Sequence, residues 1–352
     1  MSDSNSLLLA PKKLCILRLS AIGDVCHAVA AVQAIQRRHP QAEITWVVGR
    51  IEAALLKGLP GVELVPFDKS KGFQGYRELW QRLQDRHFDL LLHMQVALRA
   101  SLATLGIRAT LKVGFDRARA KEGQWLFTNR RIAPQAEPHV LDGFMGFARS
   151  LGVTDTTPQW QIPVSEQDTA FARAQIPDDT PTVLICPSAS KDERNWLPER
   201  YAEVADNLAE RGYQVLLCGG PAQREKRLAN AIVQHAQAPL RNLVGQTSLK
   251  SLLALIARAK AVLAPDTGPT HMAVTQGTPV VALMAHSNPQ RTGPYGQQHY
   301  TVSCYQHHVE QQKGRSLSEL PWGTRAKGPD LMASIETSAV LDALNLALSQ
   351  NH

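Results

Sequence analysis

At 352 residues the chain is too long for one ordinary core, so two domains are expected. With 44% apolar and 20% charged residues it reads as a soluble globular protein, and no run of 18 apolar residues is present to cross a membrane as a helix. The net charge of +7 favours an acidic partner; basic residues interleaved with aromatics and known nucleic-acid modules are both lacking, which argues against nucleic acid and leaves anionic lipid or a phosphorylated sugar.

The first ten residues contain Leu7-Leu8-Leu9-Ala10 without a preceding basic stretch, so no secretory signal is expected and a cytoplasmic location is. Lys13 to Leu19 reads as a buried strand, Ser20-Ala21-Ile22-Gly23-Asp24 as the turn after it, and Val25 to about Arg38 as a helix. Strands at 43–48 and 62–67, a helix at 76–85 and a strand at 88–94 continue an alternation that means parallel βαβ units. After Leu111-Lys112-Val113-Gly114 the pattern breaks into a basic loop, before His139 to Leu151 returns to helical spacing. From Gly152 to Pro181 prolines and threonines replace periodicity, which marks a domain boundary. The alternation then restarts with strand 182–186, helix 198–211, strand 214–218, helices 223–234 and 249–258, and strands 261–264 and 279–283. Residues 284–330 read as irregular and 333–348 as a terminal helix. The chain is thus α/β, with Rossmann-like halves over 1–153 and 182–330, a linker over 154–181 and a terminal helical segment over 331–352. Cys15, Cys26, Cys186, Cys218 and Cys304 lie far apart without metal spacing and read as reduced residues, mostly of the core.

In open α/β sheets ligands sit beyond the carboxyl ends of the strands, so the turns there are the places to look. The turn ending in Asp24 puts a carboxylate at the start of a helix, where it is either a plain helix-start acid or a proton acceptor exposed at a ligand site. Pro187 to Trp196 places Ser188 and Ser190 beside Lys191 and Arg194, which suits a diphosphate or a solvated charged loop. Cys218-Gly219-Gly220-Pro221 is a glycine turn that could admit a nucleoside. Ala264-Pro265-Asp266-Thr267-Gly268-Pro269-Thr270-His271-Met272 leads from a strand into a helix, with hydroxyl, carboxylate, imidazole and free helix N–H groups, either as a phosphate cradle or as a capped turn. Three of these four turns lie in the second half, where a nucleotide is therefore expected.

Other chemistries lack their motifs. There is no P-loop, no Gly-x-Gly-x-x-Gly, no Gly-x-Ser-x-Gly elbow, no His-Glu-x-x-His pair and no Asp-x-Asp metal motif; His307-His308 reads as surface.

With these residues in view, the chain resembles the lipopolysaccharide heptosyltransferases of glycosyltransferase family 9. The likeness runs through residues 19–27 (Leu-Ser-Ala-Ile-Gly-Asp-Val-Cys-His), Asn195-Trp196-Leu197-Pro198 ahead of a helix, and residues 264–271. It implies a GT-B fold, with two Rossmann-like domains facing across a cleft, the first binding acceptor and the second ADP-sugar, and the terminal helix packing back on the first. It also implies transfer of heptose from ADP-heptose to the Kdo region of the inner core, on Kdo-lipid A, with inversion and without metal or other cofactor. By this likeness Asp24 is the catalytic base. Ser188, Ser190 and Arg194 hold the donor diphosphate on one side, Asp266, Thr267, Gly268 and His271 on the other, and Thr247 lies near the adenosine. Arg50, Lys57, Lys69, Lys71, Arg99, Arg117, Arg119 and Lys121 would face an acceptor rich in carboxylate and phosphate, or form an ordinary solvated surface. A lipid acceptor implies peripheral contact with the cytoplasmic face of the inner membrane, although no amphipathic anchor is visible in the sequence. Ser188-Ala189-Ser190 and Arg194 stand where many relatives carry a Thr-Thr or Gly-Ala pair and a lysine, and residues 306–327 have no assigned counterpart. The alternatives are transfer from another nucleotide sugar or to a later core acceptor, and a non-catalytic protein that binds sugar nucleotides or anionic glycans.

Overall fold

The computed structural model describes residues 11–349, so the expectation for the first ten residues lies outside the described residues. The chain divides into two compact units, Met1–Pro163 and Val164–His352.

The first unit runs β1 (Lys13–Leu17), α1 (Ile22–Arg38), β2 (Glu43–Gly49), α2 (Arg50–Leu56), β3 (Val62–Phe67), α3 (Phe73–Leu83), β4 (Phe88–His93), α4 (Leu98–Ala103), β5 (Ala109–Gly114), β6 (Arg130–Arg131) and α5 (Val140–Ser150). Its strands form one parallel sheet in the order β3-β2-β1-β4-β5-β6, with Leu14 paired to Ile44 on one side and Leu90 on the other. Central strands of such a sheet are covered on both faces, which is why β1 and β4 read as continuous apolar runs. One face packs Leu79, Leu83, Ala100 and Ala103 over Cys15, Leu17 and Leu91; α1, buried from Val25 to Ile35, also packs against α5. Gly49 is required by close approach: a Cβ there would lie 2.4 Å from the Leu19 carbonyl oxygen, to which the Gly49 N–H donates at 2.8 Å.

The second unit repeats the plan: α6 (Glu166–Gln175), β7 (Thr182–Ile185), α7 (Pro198–Glu210), β8 (Gln214–Leu217), α8 (Gln223–His235), β9 (Arg241–Asn242), α9 (Leu249–Arg258), β10 (Ala261–Pro265), α10 (Gly268–Gln276), β11 (Val280–Met284), α11 (Pro289–Thr292), β12 (Val302–Ser303), α12 (Tyr305–Lys313) and α13 (Thr337–Ser349). The strand order is β12-β11-β10-β7-β8-β9, again fully parallel. In both units the chain starts at the centre, moves outward one way, then returns to the centre and moves outward the other way. That leaves a topological switch point between β1 and β4 in the first unit and between β7 and β10 in the second.

Three expectations are corrected. The linker expected over 154–181 is divided between the units. Trp160 Nε1 donates to the Cys26 carbonyl at 2.9 Å and Gln161 bonds reciprocally with Gln33, while α6, capped by Ser165, packs on α9. The terminal helix, expected on the first domain, packs instead into the core of the second unit. Val340, Leu344, Ala347 and Leu348 form one apolar stripe buried among Trp196, Tyr201, Leu263 and Leu283, and the other face of α13 is polar or exposed. Residues 284–330, expected to be irregular, hold α11, β12 and α12, with Tyr305 and Val309 making a small core with Ala326. The cysteines follow expectation: four are buried and Cys304 half-buried, all free, and burial pushes the Cys26 and Cys218 thiols up to about 12.

Candidate active site

At the switch point of the first unit, the turn after β1 is stitched to the turn after β4. Gln95 accepts the N–H groups of Leu19 at 2.7 Å and Ser20 at 3.3 Å through one amide oxygen, and is itself overlaid by Gln124, whose Nε2 donates to the His93 and Gln95 carbonyls. Asp24 emerges from this rigid frame in the first turn of α1. Its Oδ2 accepts the Ala21 N–H at 3.3 Å and pairs with the Arg18 guanidinium, so both contacts converge on one oxygen and Oδ1 is left for another partner. The Asp24 side chain is 33% exposed against 10% for Arg18. Arg18 is fixed from three sides: by Asp24, by the Met94 carbonyl at 2.8 Å, and by the Phe144 ring 5.2 Å from its guanidinium carbon. Burial pulls the Arg18 pKa down, and the Asp24 charge opposes that pull. A charge at the end of an apolar strand run is the sequence signal for Arg18.

Beneath this frame His93 is fully buried, with Nε2 3.0 Å from Ser101 Oγ. Burial, reinforced by the Arg18 charge, pulls its pKa down from 6.5 to about 3. A folded-state pKa below the unfolded value means that the unfolded chain takes up a proton first on acidification. Stability should therefore be unaffected by this group above pH 6.5 and fall by about 3 kcal/mol on going to pH ~4. Urea melts of wild type and His93→Gln across that window check this, with a shallower acid limb expected for the variant.

The basic residues expected around an acceptor are only partly brought together. Arg99 reaches the Asp24 turn, donating to Ser20 Oγ at 3.4 Å. Arg50 lies 3.6 Å from Asp68, with exposed Lys69 next in the chain and Lys71 paired to Glu78, all beyond the ends of β2 and β3. Lys69, Arg18 and Arg99 all act on Glu52, whose pKa burial nevertheless raises. Arg117 and Lys121 are exposed on the loop after β5. Two residues depart from the expectation. Lys57 ends α2, which carries the chain back toward the amino edge of the sheet where β3 begins, away from the ligand edge. Arg119 is nearly buried and committed internally, to Asp116 at 3.2 Å and to the Gln135 and Glu137 carbonyls.

The switch point of the second unit carries the other expected residues. The loop after β7 and the turn after β10 meet where Thr267 Oγ1 donates to the Ser188 carbonyl at 3.1 Å. Thr267 occupies the N-cap of α10 but spends its hydroxyl on that stitch, so no side chain caps the helix. Its first N–H groups therefore have no side-chain cap competing for them, which is what a helix start open to an anion requires. Gly268 and Pro269 open the helix and His271 is buried at its fourth residue. Arg194 comes from a single 3-10 turn, Asp192–Arg194, and is held at 13% exposure 3.6 Å from Asp266. Its buried Nε makes no hydrogen bond. Asp266 accepts instead from Ser287 Oγ at 2.8 Å. The Arg194 loop is braced by Asn195, whose side chain accepts the Ala189 N–H at 2.7 Å, and by His286 Nε2, 2.8 Å from the Glu193 carbonyl. Ser190 is exposed at the loop's tip. Thr247 lies half-buried just before α9, on the same strand-end edge, next to Lys250, whose pKa burial pulls down to about 8. At the glycine turn Gly220 N–H donates to Glu225 at 2.6 Å, so that carboxylate already fills part of the turn. Gln95, Ser287 and His286 were not expected, because each acts through a partner distant in sequence. Among the described residues no group of three or more His, Cys, Asp and Glu is placed to hold a metal ion.

Two successive Rossmann-like units, one with a carboxylate and the other with an uncapped helix start at its switch point, have the architecture of the GT-B class. Residues 76–321 match the model of glycosyltransferase family 9 (heptosyltransferase), and the chain belongs to that family. It is 47% identical over 332 residues to the lipopolysaccharide core heptosyltransferase OpsX of Haemophilus influenzae, covering 94% of this chain and 96% of that one. Among solved structures it is similar to a family 9 glycosyl transferase from Veillonella parvula, with a TM-score of 0.80 at 21% identity over 99% and 100% of the two chains. It is also similar to the ADP-heptose lipopolysaccharide heptosyltransferase II of E. coli, with a TM-score of 0.72 at 25% identity over 96% and 99%. The chain is an enzyme, a glycosyltransferase of the heptosyltransferase type.

Proposed function

We propose that this enzyme transfers heptose from ADP-heptose to the Kdo region of the lipopolysaccharide inner core, with inversion at the anomeric carbon. The relatives' names support the sugar and the glycolipid: one acts on the lipopolysaccharide core and another is an ADP-heptose enzyme. The observation that carries the donor assignment is Arg194, a nearly buried guanidinium whose Nε has no protein partner, beside a helix start that no side chain caps. A buried donor without a partner is costly unless a ligand satisfies it, and an anionic diphosphate would satisfy both features at once. In this reading Arg194, His271 and the α10 amides stabilise the charge that develops on the departing ADP, with Ser188, Ser190, Asp266, Thr267 and Gly268 shaping the cradle and Thr247 beside the adenosine. Asp24 takes the proton of the acceptor hydroxyl as that oxygen attacks. Arg99, Arg50 and Lys69 on the ligand edge, and Arg117 and Lys121 near it, meet the anionic acceptor. By its likeness to a lipopolysaccharide core heptosyltransferase, the reading places the enzyme in the cytoplasm, in peripheral contact with the membrane that holds the acceptor.

The test is transfer from ADP-heptose to Kdo-lipid A by the purified protein, with ADP, UDP and GDP as competitors. Product formation inhibited selectively by ADP is expected. Selective inhibition by UDP or GDP would move the donor to another nucleotide sugar, and ADP-heptose binding without turnover on any lipid A precursor would leave a binding protein.

A further inference from the structure

We propose that the face built from α4 and the loop after β5 docks on an anionic phospholipid bilayer, inserting an aliphatic and indole tip into the interface. The inference deepens the peripheral contact of the reading above, by naming the surface and its lipid chemistry. Leu98, Leu102 and Leu105 fall at i, i+4 and i+7 along α4 and the 3-10 turn that extends it, so they share one face, and they are 48%, 37% and 61% exposed. The opposite face of the same helix, with Ala100, Ser101 and Ala103, is buried against the core. A second short turn, Gln124–Leu126, lifts Trp125 and Leu126 to 49% and 77% exposure, while Gln124 beneath them is buried and bonded to the β4 end. The two pieces are joined at their bases, because Glu122 accepts the Leu98 N–H at 2.8 Å. Phe73, 69% exposed, extends the apolar surface: its ring meets Trp80 edge-on, and Trp80 Nε1 donates to the Ala103 carbonyl at 3.1 Å.

Single exposed hydrophobics are ordinary; six large ones held by connected elements are not. Charge identifies what covers them. Residues 98–131 hold eight Lys and Arg against two acids, almost the whole net charge of the chain. Both acids are consumed internally, Asp116 by Arg119 and its own turn, Glu122 by the Leu98 amide. Arg99, Arg117, Lys121, Arg130 and Arg131 are left exposed on the same stretch of chain as the apolar tips, a charge excess that opposes a basic partner and matches an anionic membrane surface with its aromatic-rich interface.

The test is flotation of the full chain with vesicles free of any acceptor, of phosphatidylcholine alone or mixed with phosphatidylglycerol. Partitioning only to the anionic vesicles, weakened by salt, is expected. The double variants Trp125→Ser with Leu126→Ser, and Leu102→Ser with Leu105→Ser, should each lower the partition coefficient roughly tenfold or more. Because all four side chains are exposed, melting temperature and ADP affinity should stay at wild-type values. Vesicle binding equal to wild type in both variants would overturn the proposal, as would wild type that does not partition, or a self-association that these variants abolish. The transfer reading fails separately: wild type that floats with anionic vesicles yet transfers no heptose to a soluble, acyl-free acceptor removes the activity and keeps the docking surface.

Discussion

Asp24→Ala should lower kcat for heptose transfer about a thousandfold, in the range expected when a general base with some positioning role is removed. The side chain stands in the first turn of α1 with one oxygen committed to Arg18 and the Ala21 N–H and the other uncommitted, which is the geometry of a carboxylate held in orientation while still able to accept a proton. Its removal also leaves the nearly buried Arg18 guanidinium with only the Met94 carbonyl and the Phe144 face, because the Arg18 Nε has no partner of its own. The melting temperature of the alanine variant should therefore fall, and turnover is compared at a temperature where both proteins are fully folded. ADP affinity, which the proposed reading assigns to the second unit, should not change. Asp24→Asn sharpens the test, because it keeps an acceptor for the Ala21 N–H and loses the base. An Asn variant as inactive as Ala supports proton transfer. One with near wild-type turnover reduces Asp24 to a residue that closes the helix start.

The reach of the sequence can be measured on that same turn. Asp24 and the loop that presents it were legible because strand, glycine turn and helix follow one another within about a dozen residues, and because local chemistry marks each boundary. What fixes the turn in space was not legible. Gln95 lies 75 residues from Ser20, and the contact exists only because β4 pairs beside β1. The same limit hid Ser287 and His286 around the Arg194 loop.

At the level of the fold, the long buried strands and amphipathic helices were read within a few residues, since an apolar run with no charge on either face has few alternatives in an α/β chain. Short elements escaped. α4 has six residues and α6 lies between prolines, although Ser165 and Asp168 formed a readable start signal for it. The apolar face of the first unit escaped for a different reason: Phe73, the Leu98–Leu105 stripe and Leu126 belong to three separate segments, so no window of sequence shows them as one surface. The terminal helix shows the complementary error. Its stripe was visible, but a stripe states that a helix is buried and leaves open which core buries it.

Arg194→Ala should lower kcat/KM for ADP-heptose by roughly 10²–10³-fold, the loss typical of one preorganised group that stabilises developing charge. The argument rests on what the side chain does not do in the protein. At 3.6 Å from Asp266 it makes an ion pair without a hydrogen bond, Asp266 takes its hydrogen bond from Ser287, and the buried Nε has no partner. The residue therefore contributes little to folding, and the variant should melt close to wild type. ADP should bind more weakly by calorimetry, since a diphosphate loses a bidentate partner. Arg194→Lys separates charge from geometry: an ammonium supplies the charge but not the planar fork, so activity between Ala and wild type is expected. Full activity in the lysine variant would mean that charge alone suffices at this position. An Ala variant within a few-fold of wild type, in both ADP affinity and kcat/KM, would remove Arg194 from the donor site and leave the uncapped start of α10 as the main anchor of the diphosphate.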